Sequence, residues 1–216
     1  FHFPLSTFNF QLLDIGTGGG FPAVPIAICY PEIEVYALDS IRKKINAIEN
    51  IKTELGLKNL HTICDRAENV IKAVKQLRSE TAKLDNSETS QGPKFDKYSS
   101  TNKGRLGGVL TSDNESIPIP NPSTDNNFPL STFNFQFDLI TSRAVAPIKV
   151  ILEYAMPLLK KDGYFIAYKS IKAQEEINDA KQTLKKHNAK VFDIIRYDLP
   201  LDENFTRNLV VIAKCN

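Results

Sequence analysis

The stretch Leu12-Leu-Asp14-Ile runs without a break into Gly16-Thr-Gly18-Gly-Gly20-Phe21-Pro22. An apolar strand that closes on an acidic residue and opens onto alternating glycines specifies a strand, a tight turn and a helix in succession. Glycine allows positive φ and lets a ligand approach main-chain amides with no Cβ in the way, so the turn reads as a nucleotide-type cofactor site. A strand-to-helix turn that holds no ligand is the alternative. In the dinucleotide fingerprint the glycines follow G-x-G-x-x-G and seat a pyrophosphate on a helix N-terminus. Counted from Gly16, the third glycine position is Phe21, a poor fit. Asp14 also stands where a carboxylate repels pyrophosphate but accepts hydrogen bonds from a methionine ammonium, directly or through water. Charge and spacing together favour S-adenosylmethionine over NAD, with Gly16, Gly18 and Gly20 admitting the methionine moiety.

Strand-like and helix-like segments alternate along most of the chain, the pattern of a parallel sheet with helices on its faces. Strands are expected at Leu12–Ile15, Val35–Leu38, His61–Cys64, Phe137–Thr141, Tyr164–Tyr168, Val191–Tyr197 and Leu209–Ala213. Helices are expected at Phe21–Tyr30, from Ile41 to a stop at Gly56, over Ala146–Lys161, and around Ile177, Ala180 and Leu184. The fold class is therefore α/β, a seven-stranded, mostly parallel Rossmann-like sheet. Residues 1–74 and 137–216 form one discontinuous domain.

Residues 75–136 shift to Ser, Thr, Asn, Asp, Gly and Pro, and read as a low-complexity, disordered insertion. The insertion ends in Phe128–Gln136, which repeats Phe3–Gln11 residue for residue. Two copies at so long a period make no solenoid, and a duplicated sequence element read in frame explains them. Both copies abut strands expected to lie side by side at the sheet centre.

At 216 residues with 42% hydrophobic content, the chain suits a single domain with a full core. A net charge of +2 permits a nucleic-acid partner only through a local basic face. Cys29, Cys64 and Cys215 are odd in number and widely spaced, which argues against disulfides or a zinc cluster and for a reducing, cytoplasmic setting. No signal peptide and no membrane-spanning apolar run is evident, and a monomer is favoured.

The strand ends supply the remaining candidates. Asp39 closes the second strand at the interval where a carboxylate accepts both ribose hydroxyls, a role compatible with capping the next helix. Ala67 and Glu68, just past the third strand, stand where backbone amides and an acidic side chain reach an adenine edge; a first-turn helix charge is the other reading of Glu68. Arg143 and Lys169 end central strands on the ligand side and are the acceptor-side candidates, Lys169 as a guide for RNA phosphate. No Asn-Pro-Pro-Tyr motif follows the fourth strand, which argues against methylation of an exocyclic amine, and no cysteine is placed there for attack on a pyrimidine. An acceptor that is already nucleophilic remains, such as guanine N7, whose in-plane lone pair needs no general base. His2, His61 and His187 fit no such base, and no metal site is expected.

These residues resemble the bacterial 16S ribosomal RNA guanine-N7 methyltransferases called RsmG, formerly GidB. The resemblance rests on Asp14–Pro25, Asp39-Ser40 with Lys43-Lys44, Leu55-Gly-Leu57 with Asn59, Arg66-Ala-Glu68, Thr141–Ala146, Pro157-Leu-Leu159 and Arg207–Lys214. It implies a class I S-adenosylmethionine-dependent methyltransferase fold and cofactor contacts at Gly16, Phe21, Ala67, Glu68 and Arg143, with Asp39 at the ribose. It also implies a guanine of 16S ribosomal RNA, in the free RNA or the small-subunit precursor, as substrate. Against the family pattern Ala23 replaces a glycine, Ser170 replaces the glycine after Lys169, and the N-terminal helical segment is missing, so the chain reads as shortened there. An inactive or cofactor-binding remnant and a small-molecule methyltransferase are the rival functions.

Overall fold

A computed structural model describes residues 10–87, 136–199 and 205–215. In chain order its elements are β1 (Gln11–Ile15), α1 (Ala23–Cys29), β2 (Glu34–Asp39), α2 (Arg42–Leu55), β3 (Leu60–Cys64) and α3 (Ala67–Ser87). After them come β4 (Phe137–Arg143), α4 (Ile148–Ala155), β5 (Leu159–Lys169), α5 (Ala173–Asp179), α6 (Lys181–Lys186), β6 (Ala189–Leu199) and β7 (Phe205–Lys214). The strands form one seven-stranded sheet in the order β3-β2-β1-β4-β5-β7-β6. All neighbours are parallel except β7, which runs antiparallel between β5 and β6. The seven-stranded, mostly parallel α/β sheet expected from the strand pattern is thus present.

Alternation along each strand divides the core in two. Leu12, Val35 and Ala37 pack with Ala23, Val24 and Ala27 of α1 and with Ile45 and Ile48 of α2. Leu13, Ile15, Tyr36 and Leu38 point the other way, into a larger cluster with α3, α4, α5 and α6. A period of two sends successive side chains to opposite faces, so strands this apolar on both sides must be covered on both. α1 and α2 gather over the β1–β2–β3 half of their face. On its other half Tyr164, Ile166 and Tyr168 are partly buried, while Phe192 and Ile195 are 51% and 39% exposed.

Helix ends follow local chemistry. α2 stops at Gly56, which adopts φ 62 and sends its N–H to the Thr53 carbonyl while Leu57 N–H reaches the Lys52 carbonyl, a Schellman closure. The amide of Asn59 lies within 3.0–3.2 Å of the Ala27, Tyr30 and Ile33 carbonyls and so satisfies the end of α1.

Three boundaries differ from the sequence reading. The helix expected over Ala146–Lys161 ends at Ala155 and tightens into a 3₁₀ turn at Met156–Leu158, after which Leu159 pairs with Phe137. Pro157 has no N–H and cannot continue the helix. The last amphipathic helix divides at Ala180 into α5 and α6. The boundary drawn at residue 75 falls inside α3, which continues to Ser87. Val70, Ile71 and Val74 anchor its first turns in the core, and the Arg78 guanidinium donates to the Pro157 carbonyl at 3.0 Å. Residues 88–135, the rest of the proposed insertion, lie outside the described residues, as do residues 1–9 and hence nearly all of both repeat copies. The strands that follow the copies, β1 and β4, do lie side by side.

Candidate cofactor site

The order of the strands decides where a site can form. β1 has β2 on one side and β4 on the other, and their helices leave to opposite faces: α1 joins the smaller core cluster and α4 the larger. Loops that diverge in this way leave a crevice beyond the carboxyl ends of the strands. An open cleft of about 450 Å³ lies there, lined by the ends of β1, β2, β3 and β4 and by Tyr154 of α4. Its walls include Gly16, Asp39, Ala67, Glu68 and Arg143, so five of the residues singled out in the sequence converge on one cavity.

The glycine turn is built against β2. Gly16 and Thr17 donate to the Leu38 carbonyl at 2.8 and 3.0 Å, and Gly18 N–H donates to Asp39 Oδ2 at 3.0 Å. Gly16 has φ +73, and a Cβ there would collide with a Val145 methyl. At Gly20 φ is +92, and a Cβ would overlap a Val24 methyl at 2.6 Å, so its missing side chain leaves room for the first turn of α1.

Asp14 lies under the turn, fully buried. Its Oδ1 accepts from the Thr141 hydroxyl at 2.8 Å, while its Oδ2 and the Thr17 hydroxyl are buried without a completed hydrogen bond. Burial raises its pKa from 3.8 to about 6, partly offset by the Thr141 hydroxyl. A folded-state pKa above the unfolded value contributes stability that is fully present below pH 3.8 and is lost as the pH rises through about 6. Asp14→Asn removes that dependence. Relative to the unaltered protein, the variant is expected to gain about 1 kcal/mol more stability at pH 8 than at pH 5. Urea denaturation at the two pH values tests this; an equal difference at both would refute the assignment.

Asp39 is held by the backbone. Besides Gly18, its Oδ1 accepts from Ile41 N–H at 2.9 Å, and Lys44 Nζ stands 3.4 Å from Oδ2. A carboxylate has about four lone-pair positions, so capacity remains toward the cleft. Helix capping and ligand binding are compatible at this residue.

Across the cleft, Glu68 Oε1 accepts from the Tyr154 hydroxyl at 2.8 Å. Its own backbone N–H and the Tyr154 hydroxyl hold the Glu68 carboxyl below its ordinary pKa, and the same bond raises the Tyr154 phenol. Arg143 carries its guanidinium 5.9 Å over the ring of Phe21, which is 55% exposed, so these two meet at the rim.

Among the candidates Asp14, Gly18, Gly20 and Phe21 do not line the cleft, and neither does Lys169. Its side chain is only 9% exposed and pairs with Glu176 at 2.8 Å, a geometry unlike a solvent-facing phosphate guide. Ser170, beside it, accepts from Asn208 Nδ2 through its carbonyl at 2.8 Å. Sequence reasoning missed Val145 and Tyr154 as walls of the cleft. Nothing in a lone loop valine signals contact with a glycine far upstream. Tyr154 lies within an expected helix where no motif marks it.

No described helix is long and apolar enough to cross a membrane. Residues 2–83 and 131–204 match the GidB family, described as rRNA small subunit methyltransferase G. Ribosomal RNA small subunit methyltransferase G of Desulfitobacterium hafniense (strain Y51) is 31% identical over 204 residues, covering 94% of this chain and 61% of that protein. The protein of the same description from Oceanobacillus iheyensis is 29% identical, with the same coverage. The chain thus spans about 61% of the length of these curated relatives. Among solved structures, the fibrillarin pre-rRNA processing protein of Methanococcus jannaschii superposes with a TM-score of 0.56 at 13% identity, covering 100% of this chain and 70% of that one. An rRNA methylase from Streptococcus thermophilus gives 0.51 at 14% identity, covering 97% and 89%. At these identities the structural likeness speaks for the fold.

Proposed function

The chain belongs to the rRNA small subunit methyltransferase G family, and from that premise we propose that it binds S-adenosylmethionine in the cleft and methylates guanine N7 of 16S ribosomal RNA. The observation that carries the reading is the convergence of Gly16, Asp39, Ala67, Glu68 and Arg143 on one cavity at the switch point of the sheet. The cofactor, when bound, supplies a sulfonium-activated methyl group.

The chain's residues fit such a ligand. Two buried oxygens with no completed bond, Asp14 Oδ2 and Thr17 Oγ1, suit an ammonium or the water that bridges to it. Gly16 lines the cleft, and Asp39 offers spare acceptor positions for ribose hydroxyls. Ala67 and Glu68 stand at the adenine end, where Tyr154 steadies the Glu68 carboxylate. Arg143 and Phe21 mark the acceptor side, a cation and an aromatic face suited to a base and its phosphate. Guanine N7 needs no deprotonation, so orientation and charge placement are what the protein must supply.

Calorimetric titration with S-adenosylhomocysteine tests the site. The unaltered chain is expected to bind, and Asp39→Ala to bind about tenfold or more weakly, the cost of removing a charged hydrogen-bond partner. Equal affinities would exclude this cleft. The acceptor is tested by mapping N7-methylguanine in 16S RNA from cells with and without the chain; a mark absent from both would exclude the reaction.

A further inference from the structure

We propose that the Lys169–Glu176 ion pair is a positioning device for the cleft, pinning the loop between β4 and α4 so that Arg143 and Val145 stand in place over the glycine turn. The inference rests on the methyltransferase reading above. Lys169 Nζ lies 2.8 Å from Glu176 Oε2 and donates to the Ala146 carbonyl at 2.6 Å. The same Glu176 oxygen accepts from Ile148 N–H at 2.8 Å. One ion pair therefore satisfies the carbonyl before Pro147 and the amide after it, and joins the end of β5, the first turns of α5 and the start of α4.

The loop has only two fixed ends. At one, Arg143 still pairs with Tyr168 in the sheet; at the other is the clamp at Ala146 and Ile148. Between them Arg143, Ala144 and Val145 are exposed and line the cleft. Ala144 adopts φ 54, a left-handed conformation that costs a non-glycine residue free energy and persists only where its surroundings impose it. Val145 then projects into the space that Gly16 leaves by lacking a Cβ. Releasing the clamp lets Ala144 relax, which withdraws Val145 from the turn and Arg143 from the rim. Lys169 and Glu176 are 9% and 25% exposed at their side chains, so each needs the other, and removing one leaves a poorly solvated charge.

The test compares Lys169→Met and Glu176→Gln with Lys160→Met in the full chain. Lys160 pairs with Asp138 at 2.9 Å near the opposite end of β4 and controls for loss of an ion pair as such. Affinity for S-adenosylhomocysteine is expected to fall about tenfold in Lys169→Met and to stay within about twofold in Lys160→Met, at comparable losses in thermal midpoint. Glu176→Gln keeps an acceptor oxygen and is expected to lose about threefold, so it decides the matter if Lys169→Met does not fold. In the ligand-free protein, hydrogen exchange at the Ile148 amide is expected to accelerate in both variants. Unchanged affinity in both, with faster exchange, overturns the proposal by making the pair merely structural. Unchanged affinity with weaker retention of RNA overturns it in favour of a phosphate contact at Lys169. An unaltered chain that takes up no S-adenosylhomocysteine removes the methyltransferase reading itself, and this inference with it.

Discussion

Gly16→Val is expected to abolish measurable S-adenosylhomocysteine binding while the sheet stays folded. Two effects combine at this position. With φ +73, a β-branched side chain sits in the left-handed region at a cost of about 1–2 kcal/mol or more. The new Cβ also overlaps the Val145 side chain, so the turn or the β4–α4 loop must move. Both form walls of the same cleft, and displacements of about 1 Å in such walls can cost on the order of a hundredfold. Gly19→Ala is the control, because a Cβ there meets nothing within 4 Å, and it is expected to bind as the unaltered chain does. Calorimetry for affinity and circular dichroism for folding give the answer. A folded Gly16→Val that binds normally would exclude the turn from the site.

The largest loss of stability is expected from Phe165→Ala, by about 3–5 kcal/mol. Phe165 is fully buried in β5 and belongs to the cluster formed with α3, α4, α5 and α6. Its neighbours are held in strands and helices already paired on both sides, so the cavity left behind cannot close by collapse. Ile195→Ala removes three carbons where Phe165→Ala removes six, from a side chain of β6 that is 39% exposed, and is expected to cost about 0.5 kcal/mol. Urea denaturation of the two variants separates these outcomes; equal midpoints would mean that Phe165 is not a core residue.

Much of the architecture was legible because its signals are local. Near-continuous apolar runs at Leu12–Ile15 and Val35–Leu38 become strands covered on both faces, and Gly56 stops α2 with the φ that glycine favours. The helix over Ala146–Lys161 was read too long because its apolar spacing continues past Pro157, where the missing N–H ends it. α3 has no counterpart among the expected helices, because beyond Val74 its residues are polar and a polar helix carries little periodic signal.

The candidate site divides in the same way. A strand ending in an acidic residue before glycines, and carboxylates at later strand ends, mark their positions through backbone requirements that each segment declares for itself. Gly16, Asp39, Glu68 and Arg143, singled out on that basis, line the cleft, and Asp14 lies buried beneath the turn. The remainder depends on contacts between residues distant in the chain, which leave no trace in local pattern. Gly20 leaves room for Val24, Lys169 pairs with Glu176, and Val145 closes over Gly16. Residue types and spacings therefore specified an α/β chain with a glycine turn between its first strand and first helix. Packing of the folded sheet decided that Val145 fills the space beside Gly16, that Lys169 pairs with Glu176 and what walls the cleft, because side-chain direction and burial exist only once the strands are paired.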